Sequence, residues 1–290
     1  MYESIEKIIG DEAVSGIPFW KLIMLDDCKE RAVKEKECFN SMKSMYIAMK
    51  ESDGNYDAKL KSNSGLVGGE AEKVKQYKAN CDFLCGDFLG NVMEKALKVA
   101  ESNACMKRIV AAPTAGSCGV LPAVFISIQD RNKYTDEKMT EALFVAAGVG
   151  GVIAQKASLA GAQGGCQAEI GSASAMAAAG LTYLLGGSSL QIQNSAALAM
   201  KNLLGLACDP VAGLVEIPCV KRNVLGAINA VSSTELSMAG VESRIPADEV
   251  FEAMNSIGKN MSDTIKETAQ GGLAMTATGI RIKEEISEGF

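Results

Sequence analysis

A mainly α-helical fold follows from three features of the 290-residue sequence. Aromatic residues make up 5% of the chain while 48% is hydrophobic, so the interior must be built from Ala, Val, Ile, Leu, Met and Gly. Ala-rich cores with few aromatics favour closely packed helices over sheets. Apolar residues recur at helical spacing, and strand-like alternation is scarce. No internal repeat or low-complexity linker divides the chain. The expectation is a single helical domain over residues 1–290, with N-terminal helices over about 1–50 and a motif-bearing core over about 60–285. Small-residue loops converge at its centre.

Glu3 to about Lys50 mixes charged and apolar residues at helical spacing, as at Leu22, Leu25, Cys28 and Ala32, and predicts surface helices around a turn at Gly16–Pro18. Lys50–Gly69 is polar and glycine-bearing, hence a loop. Glu70–Ser102 reads as a helical block, which puts Cys81 and Cys85 on one helix face. Val110–Pro122 is a loop feeding the apolar segment Ala123–Ile128. Thr135, ahead of Asp136 and Glu137, starts a helix that runs through Ala142–Ala154. Gly161–Gly171 is a second small-residue loop. Ile170–Met200 carries no charge, yet a membrane span needs ~20 mostly apolar residues. Ser172, Ser174, Gly180, Gly186, Gly187, Gln191 and Asn194 interrupt it, so the stretch is expected in the protein interior. Leu206–Asn223 is a third loop. Pro246 opens a helix ahead of Asp248 and Glu249, and Gly271-Gly272 leads into a charged tail.

A net charge of -6 argues against nucleic acid as a partner. No basic run marks a membrane surface, and the N-terminus lacks the basic start and apolar block of a secretory leader. The expected location is the cytoplasm. In that reducing compartment the nine cysteines serve as packing residues, metal ligands or reactive thiols rather than disulfides. The chain contains no histidine. That rules out, within this chain, a Ser-His-Asp or Cys-His arrangement and any His-containing zinc or iron site. Gly148-Val149-Gly150-Gly151 lacks the third glycine of a dinucleotide fingerprint, and no Gly-Lys-Ser/Thr phosphate loop exists.

Three cysteines have distinctive surroundings: Cys166 in Gly164-Gly165-Cys166-Gln167-Ala168-Glu169, Cys208 in Ala207-Cys208-Asp209-Pro210, and Cys219 in Ile217-Pro218-Cys219-Val220. Each sits in a glycine- or proline-shaped turn near the end of an apolar segment. Such turns suit thiolates converging on an iron–sulfur cluster and leave backbone N–H groups to face its sulfurs. They equally suit small buried cysteines that only fill space, and the spacing does not decide between the two.

The segments Ser64–Gly69, Ala112–Gly119, Gly161–Ala175 and Leu206–Asn223 closely resemble the α subunit of bacterial iron–sulfur-dependent L-serine dehydratases. They are long, in order, and part of a resemblance covering roughly residues 10–285. The resemblance implies a mainly helical domain with a [4Fe–4S] cluster on Cys166, Cys208 and Cys219, its open iron binding L-serine. It implies dehydration and deamination of L-serine to pyruvate and ammonia without pyridoxal phosphate; Lys156 and Lys201 sit in no motif of enzymes using that cofactor. Ser64, Thr114 and Ser117 fall in turns that look suited to holding a carboxylate, and Lys221 is a candidate cation for the cluster or the substrate. Cys118 is a packing residue in this scheme. Glu169 and Glu216 lie near the ligands without an assigned role. Single-chain relatives join this domain to a second one, so a separate β subunit is expected to supply part of the active site, including a histidine. A related lyase acting on L-cysteine or L-threonine, and a non-catalytic iron–sulfur redox module, are the alternatives.

Overall fold

The computed structural model describes residues 1–288, so the last two residues of the expected 1–290 domain lie outside the described residues. The described residues form 13 α-helices: α1 (Ile5–Ser15), α2 (Phe19–Arg31), α3 (Glu35–Gly54), α4 (Glu70–Asn80), α5 (Gly86–Ala104), α6 (Val120–Asn132), α7 (Asp136–Lys156), α8 (Gly161–Gly164), α9 (Ser172–Leu184), α10 (Ser189–Lys201), α11 (Cys219–Met238), α12 (Ala247–Asn260) and α13 (Ala277–Glu288). The mainly α prediction is borne out: no strand occurs among the described residues, and an isolated bridge joins Cys208 to Lys266. None of the described helices is long and apolar enough to cross a membrane.

Helix starts follow local chemistry. Lys7 N–H donates to Ser4 Oγ at α1, and Lys138 N–H donates to Thr135 Oγ1 at 3.2 Å where the sequence places the start of α7. The uncharged 170–200 stretch is two helices rather than one, because Gly186 turns the chain and Ser188 with Gln191 forms a reciprocal capping box for α10.

Helix α9 is the axis of the fold. All its residues except Tyr183 are buried, and it packs against α6, α7, α10 and α11. A Cβ at Gly180 would stand 2.3 Å from the Phe125 ring and 3.0 Å from the Ala142 carbonyl, so only glycine lets α6 and α7 approach this closely. Two interior polar side chains join the helices: Ser174 Oγ donates to the Gly226 carbonyl (2.8 Å), and Asn229 Nδ2 donates to Ser174 Oγ (2.9 Å) and the Ala199 carbonyl (2.8 Å). These bonds fasten α9, α10 and α11 together, as buried amides and hydroxyls require. On the other side α2 and α3 cover α7 through the Trp20, Phe39 and Phe144 rings, whose centroids lie 6.2–6.5 Å apart.

Several boundaries depart from the sequence reading. Helix α3 continues to Gly54, beyond Lys50. The 70–102 block is two helices, and Cys81 and Cys85 lie in the connection between them instead of on one helix face. Cys81 is extended, the Gly86 N–H closes a turn on the Phe83 carbonyl at 2.7 Å, and Gly86 takes a left-handed φ of 69°. Pro122 lies inside the first turn of α6, where its missing N–H costs nothing. Most of 161–171 is helical turn, short α8 followed by a π-turn over Gln167–Gly171. The third loop ends at Pro218, and the charged tail is helix α13.

Between α4 and α5, buried Glu94 binds Lys78 (2.9 Å) and Lys98 (2.7 Å). Burial pushes its carboxyl up, but the two lysines outweigh that and hold it below its ordinary value. Glu94→Gln should cost roughly 3 kcal/mol at neutral pH, the low end for breaking a buried pair, read as a lower urea midpoint at unchanged slope. A carboxyl depressed on folding contributes above its unfolded pKa and fades as pH falls through its folded one. The two stability curves should therefore converge in acid.

Candidate active site

Cys166 stands between α8 and the π-turn that leads into α9, Cys208 sits on the bridge to Lys266, and Cys219 is the first residue of α11. All three are buried. They share one electrostatic neighbourhood, since Cys166 acts on both of the others and Cys219 acts on Cys208. Burial pushes Cys166 up to about 11, with Arg222 pulling the other way, and Cys219 up to about 12. Burial also drives Cys208 up, and the neighbouring Cys166 adds to it. Metal binding would have to displace these protons.

Arg222, not Lys221, is the cation among the thiols. Its guanidinium donates to the Ala207 carbonyl (2.6 Å) and Asp209 Oδ1 (2.9 Å), and it reaches the Cys166 thiol. Burial disfavours its charge, but Cys166 and Asp209 outweigh that and hold its pKa above the ordinary value. The other Asp209 oxygen accepts the Leu273 N–H at 2.9 Å, tying the Cys208 turn to the C-terminal segment. Lys221 lies on the exposed side of α11 and pairs with Glu70 at 2.6 Å, at the end of the Ser64–Gly69 loop.

The Thr114 turn meets the same place. Thr114 Oγ1 donates to Glu169 Oε1 at 2.8 Å, and Thr114 and Ser117 cap one another through their hydroxyls (3.1 Å). Ser117 is fully buried, so its hydroxyl shapes the turn while Thr114 remains half-buried. Burial raises the Glu169 carboxyl, and the Thr114 hydrogen bond opposes this. Asn223 stitches the turn to α11: its Nδ2 donates to the Gly116 (2.9 Å) and Cys219 (3.0 Å) carbonyls, and its Oδ1 accepts the Gly119 N–H (2.8 Å). The Ser64 loop docks alongside, where Val67 and Ala71 pack on Val220. Ser62 Oγ and Ser64 Oγ both donate to buried Glu216, at 3.0 and 2.5 Å. Cys118 stands apart, its thiol directed at the Val99 carbonyl (3.8 Å).

Sequence reasoning singled out Glu169 and Glu216 without an assigned role, and Lys221 as the candidate cation. The tie made by Asn223 was missed. Its only trace is a polar residue one turn after Cys219, on the face that α11 buries.

Among the described residues no three His, Cys, Asp or Glu side chains converge tightly enough for a single metal ion. A polynuclear cluster asks for wider spacing, because each thiolate binds a different iron. Three buried thiols from separate segments, beside an arginine, fit that requirement in donor type and charge.

Residues 14–274 match the model of the family described as serine dehydratase alpha chain. The chain belongs to this family. The L-serine dehydratase alpha chain of Peptoniphilus asaccharolyticus is 39% identical over 287 residues, spanning 99% of this chain and 98% of that one. The probable L-serine dehydratase alpha chain of Bacillus subtilis strain 168 is 47% identical over 228 residues, 79% of this chain and 76% of its own. L-serine dehydratase TdcG of Escherichia coli K12 is 47% identical over 182 residues, which are 62% of this chain but 40% of TdcG. This serine dehydratase alpha chain family member thus aligns end to end with one relative and with a minor part of another.

Two measurements check the site. Exposed Cys81 and Cys85 should alkylate first in the metal-free chain at neutral pH, with Cys166, Cys208 and Cys219 lagging until unfolding, as peptide mass spectrometry would read. Asn223→Ala strands a buried N–H and two carbonyls, and should lower stability by about 1–3 kcal/mol in urea titrations.

Proposed function

We propose that this chain is the α subunit of an iron–sulfur-dependent L-serine dehydratase that converts L-serine to pyruvate and ammonia. A [4Fe–4S] cluster would be held by Cys166, Cys208 and Cys219. One observation carries the reading: three buried thiols from three segments meet beside Glu169, in a chain aligned end to end with a protein named as an L-serine dehydratase alpha chain. When bound, the cluster supplies an iron with no protein ligand, a Lewis acid that eases loss of the substrate hydroxyl.

The residues of the chain supply the surroundings of that chemistry. Arg222 balances the negative charge of the thiolates, held in place by Asp209 and the Ala207 carbonyl. The Thr114 turn, braced from within by Ser117, and the Ser64 turn, braced by Glu216, offer backbone N–H groups to the substrate carboxylate, their hydroxyls being engaged by Glu169 and Glu216. Lys221, through Glu70, steadies the loop that bears Ser64. A base takes the Cα proton as hydroxide departs from Cβ. The resulting 2-aminoacrylate tautomerises to an imine, which water hydrolyses to pyruvate and ammonia. With no histidine in this chain, a separate β subunit supplies part of the active site, including a histidine, and the unmatched length of TdcG supports such a partner. The reducing cytoplasm, where thiols persist, is the matching compartment.

Purification without oxygen, with and without the β partner, tests this. About four irons per chain, a spectrum that responds to L-serine and pyruvate formed only with the partner are expected. Cys166→Ser, Cys208→Ser and Cys219→Ser should each lose iron, while Cys118→Ser keeps it. A cluster indifferent to L-serine would point to a redox module, faster turnover of L-cysteine or L-threonine to a related lyase, and absence of iron would overturn the proposal.

A further inference from the structure

The acidic groups around the three thiols differ in one respect. Asp209 is neutralised by Arg222 at 2.9 Å, and Glu70 by Lys221 at 2.6 Å. Glu216 has no cation but accepts two hydroxyls, from Ser62 and Ser64. Glu169 accepts a hydrogen bond from the Thr114 hydroxyl and forms no salt bridge with any cation among the described residues. The charged group that acts on it is another carboxylate, Glu267, which also acts on Cys208 and has no salt bridge among the described residues but is exposed to water. A carboxylate partly removed from water and lacking a counter-ion is costly, and a fold keeps it where something arrives to compensate it.

Two glycines lie directly against this carboxylate. A Cβ at Gly116 would stand 3.2 Å from Glu169 Oε1, and one at Gly161 would stand 2.8 Å from Oε2 and 3.1 Å from Cys208 Sγ. Glycine at both positions puts no side chain between these turns and the carboxylate, and the Gly161 position borders both Oε2 and the Cys208 sulfur. The Thr114 bond, from the same turn as Gly116, holds Oε1 in place.

L-Serine carries three polar groups. Its hydroxyl and carboxylate have partners in the reading above; its α-ammonium has none. We propose that Glu169 receives the α-ammonium of the substrate and thereby selects amino acids over hydroxy acids that lack the amine. This rests on L-serine being the substrate. The cation missing from the site is then the one the substrate brings, and Thr114 is a positioning residue that holds the carboxylate toward it.

The test uses the anaerobic αβ holoenzyme and two ligands, L-serine and 3-hydroxypropanoate, which keeps the hydroxyl and carboxylate but has hydrogen in place of the ammonium. L-Serine affinity is read from steady-state kinetics and 3-hydroxypropanoate affinity from its competitive inhibition of L-serine turnover, alongside iron content. Wild type should bind L-serine about tenfold or more tightly than 3-hydroxypropanoate, the worth of one charge-assisted contact. Glu169→Gln should weaken L-serine by about tenfold or more while leaving 3-hydroxypropanoate within about twofold, and should raise KM more than it lowers kcat. Should that variant lose iron, Glu169→Asp replaces it, with the same selective weakening of L-serine expected from its shorter arm. Equal weakening of both ligands, no weakening of either, or a wild type that does not distinguish them would overturn the assignment. A wild-type holoenzyme that neither binds nor converts L-serine fails earlier, and refutes the proposed function instead.

Discussion

Helix α9 is uncharged and enclosed by four other helices, and the rest of the structure is arranged around that enclosure. A helix buried on every side favours small or apolar neighbours, and a polar group on it is stabilised by a partner inside the protein. The glycine at 180 and the alanines of α9 set how closely α6 and α7 approach. Ser174 then needs the Gly226 carbonyl and the Asn229 amide, which fixes the rotation of α11. With α11 fixed, Cys219 at its first residue is fixed too.

The same helix explains why the site lies where it does. The backbone entering α9 runs through a π-turn, and that turn carries Glu169 just after Cys166. π-Turns spoil regular helical hydrogen bonding and recur at functional sites for that reason. Here the distortion sits beside the first residue of α11, and the Thr114 turn is drawn to both by Asn223 and by the Thr114–Glu169 bond. Three segments far apart in the chain are thus held by a few hydrogen bonds at the ends of two buried helices, on elements too well packed to drift.

The electrostatics of the pocket are economical. Burial holds the thiols protonated in the bare chain, while the one guanidinium among them is already shared between Asp209 and Cys166. Glu169 in the same neighbourhood has no salt-bridge partner among the described residues. Without histidine, no side chain in the chain has an unperturbed pKa between those of carboxylates and thiols, and in the proposed scheme a second polypeptide supplies the missing imidazole.

Much of the fold was legible in the sequence because helix signals are local. Thr135 before two acids, Pro246 before two acids, and apolar spacing over long stretches each act within a few residues. Boundaries failed where one residue outweighed its neighbours, as at Gly86, which separates Cys81 and Cys85 onto a connection instead of a helix face. The resemblance picked out Cys166, Cys208 and Cys219 as a set. Their sharing one buried neighbourhood, the choice of Arg222 over Lys221 as its cation, and the absence of a counter-ion at Glu169 were decided by tertiary structure. Composition, charge and the lack of histidine limit the chemistry a chain can perform, since they are properties of the residues themselves. Which charges face one another depends on helix rotation and the meeting of distant turns, and these are settled only when the core closes around α9.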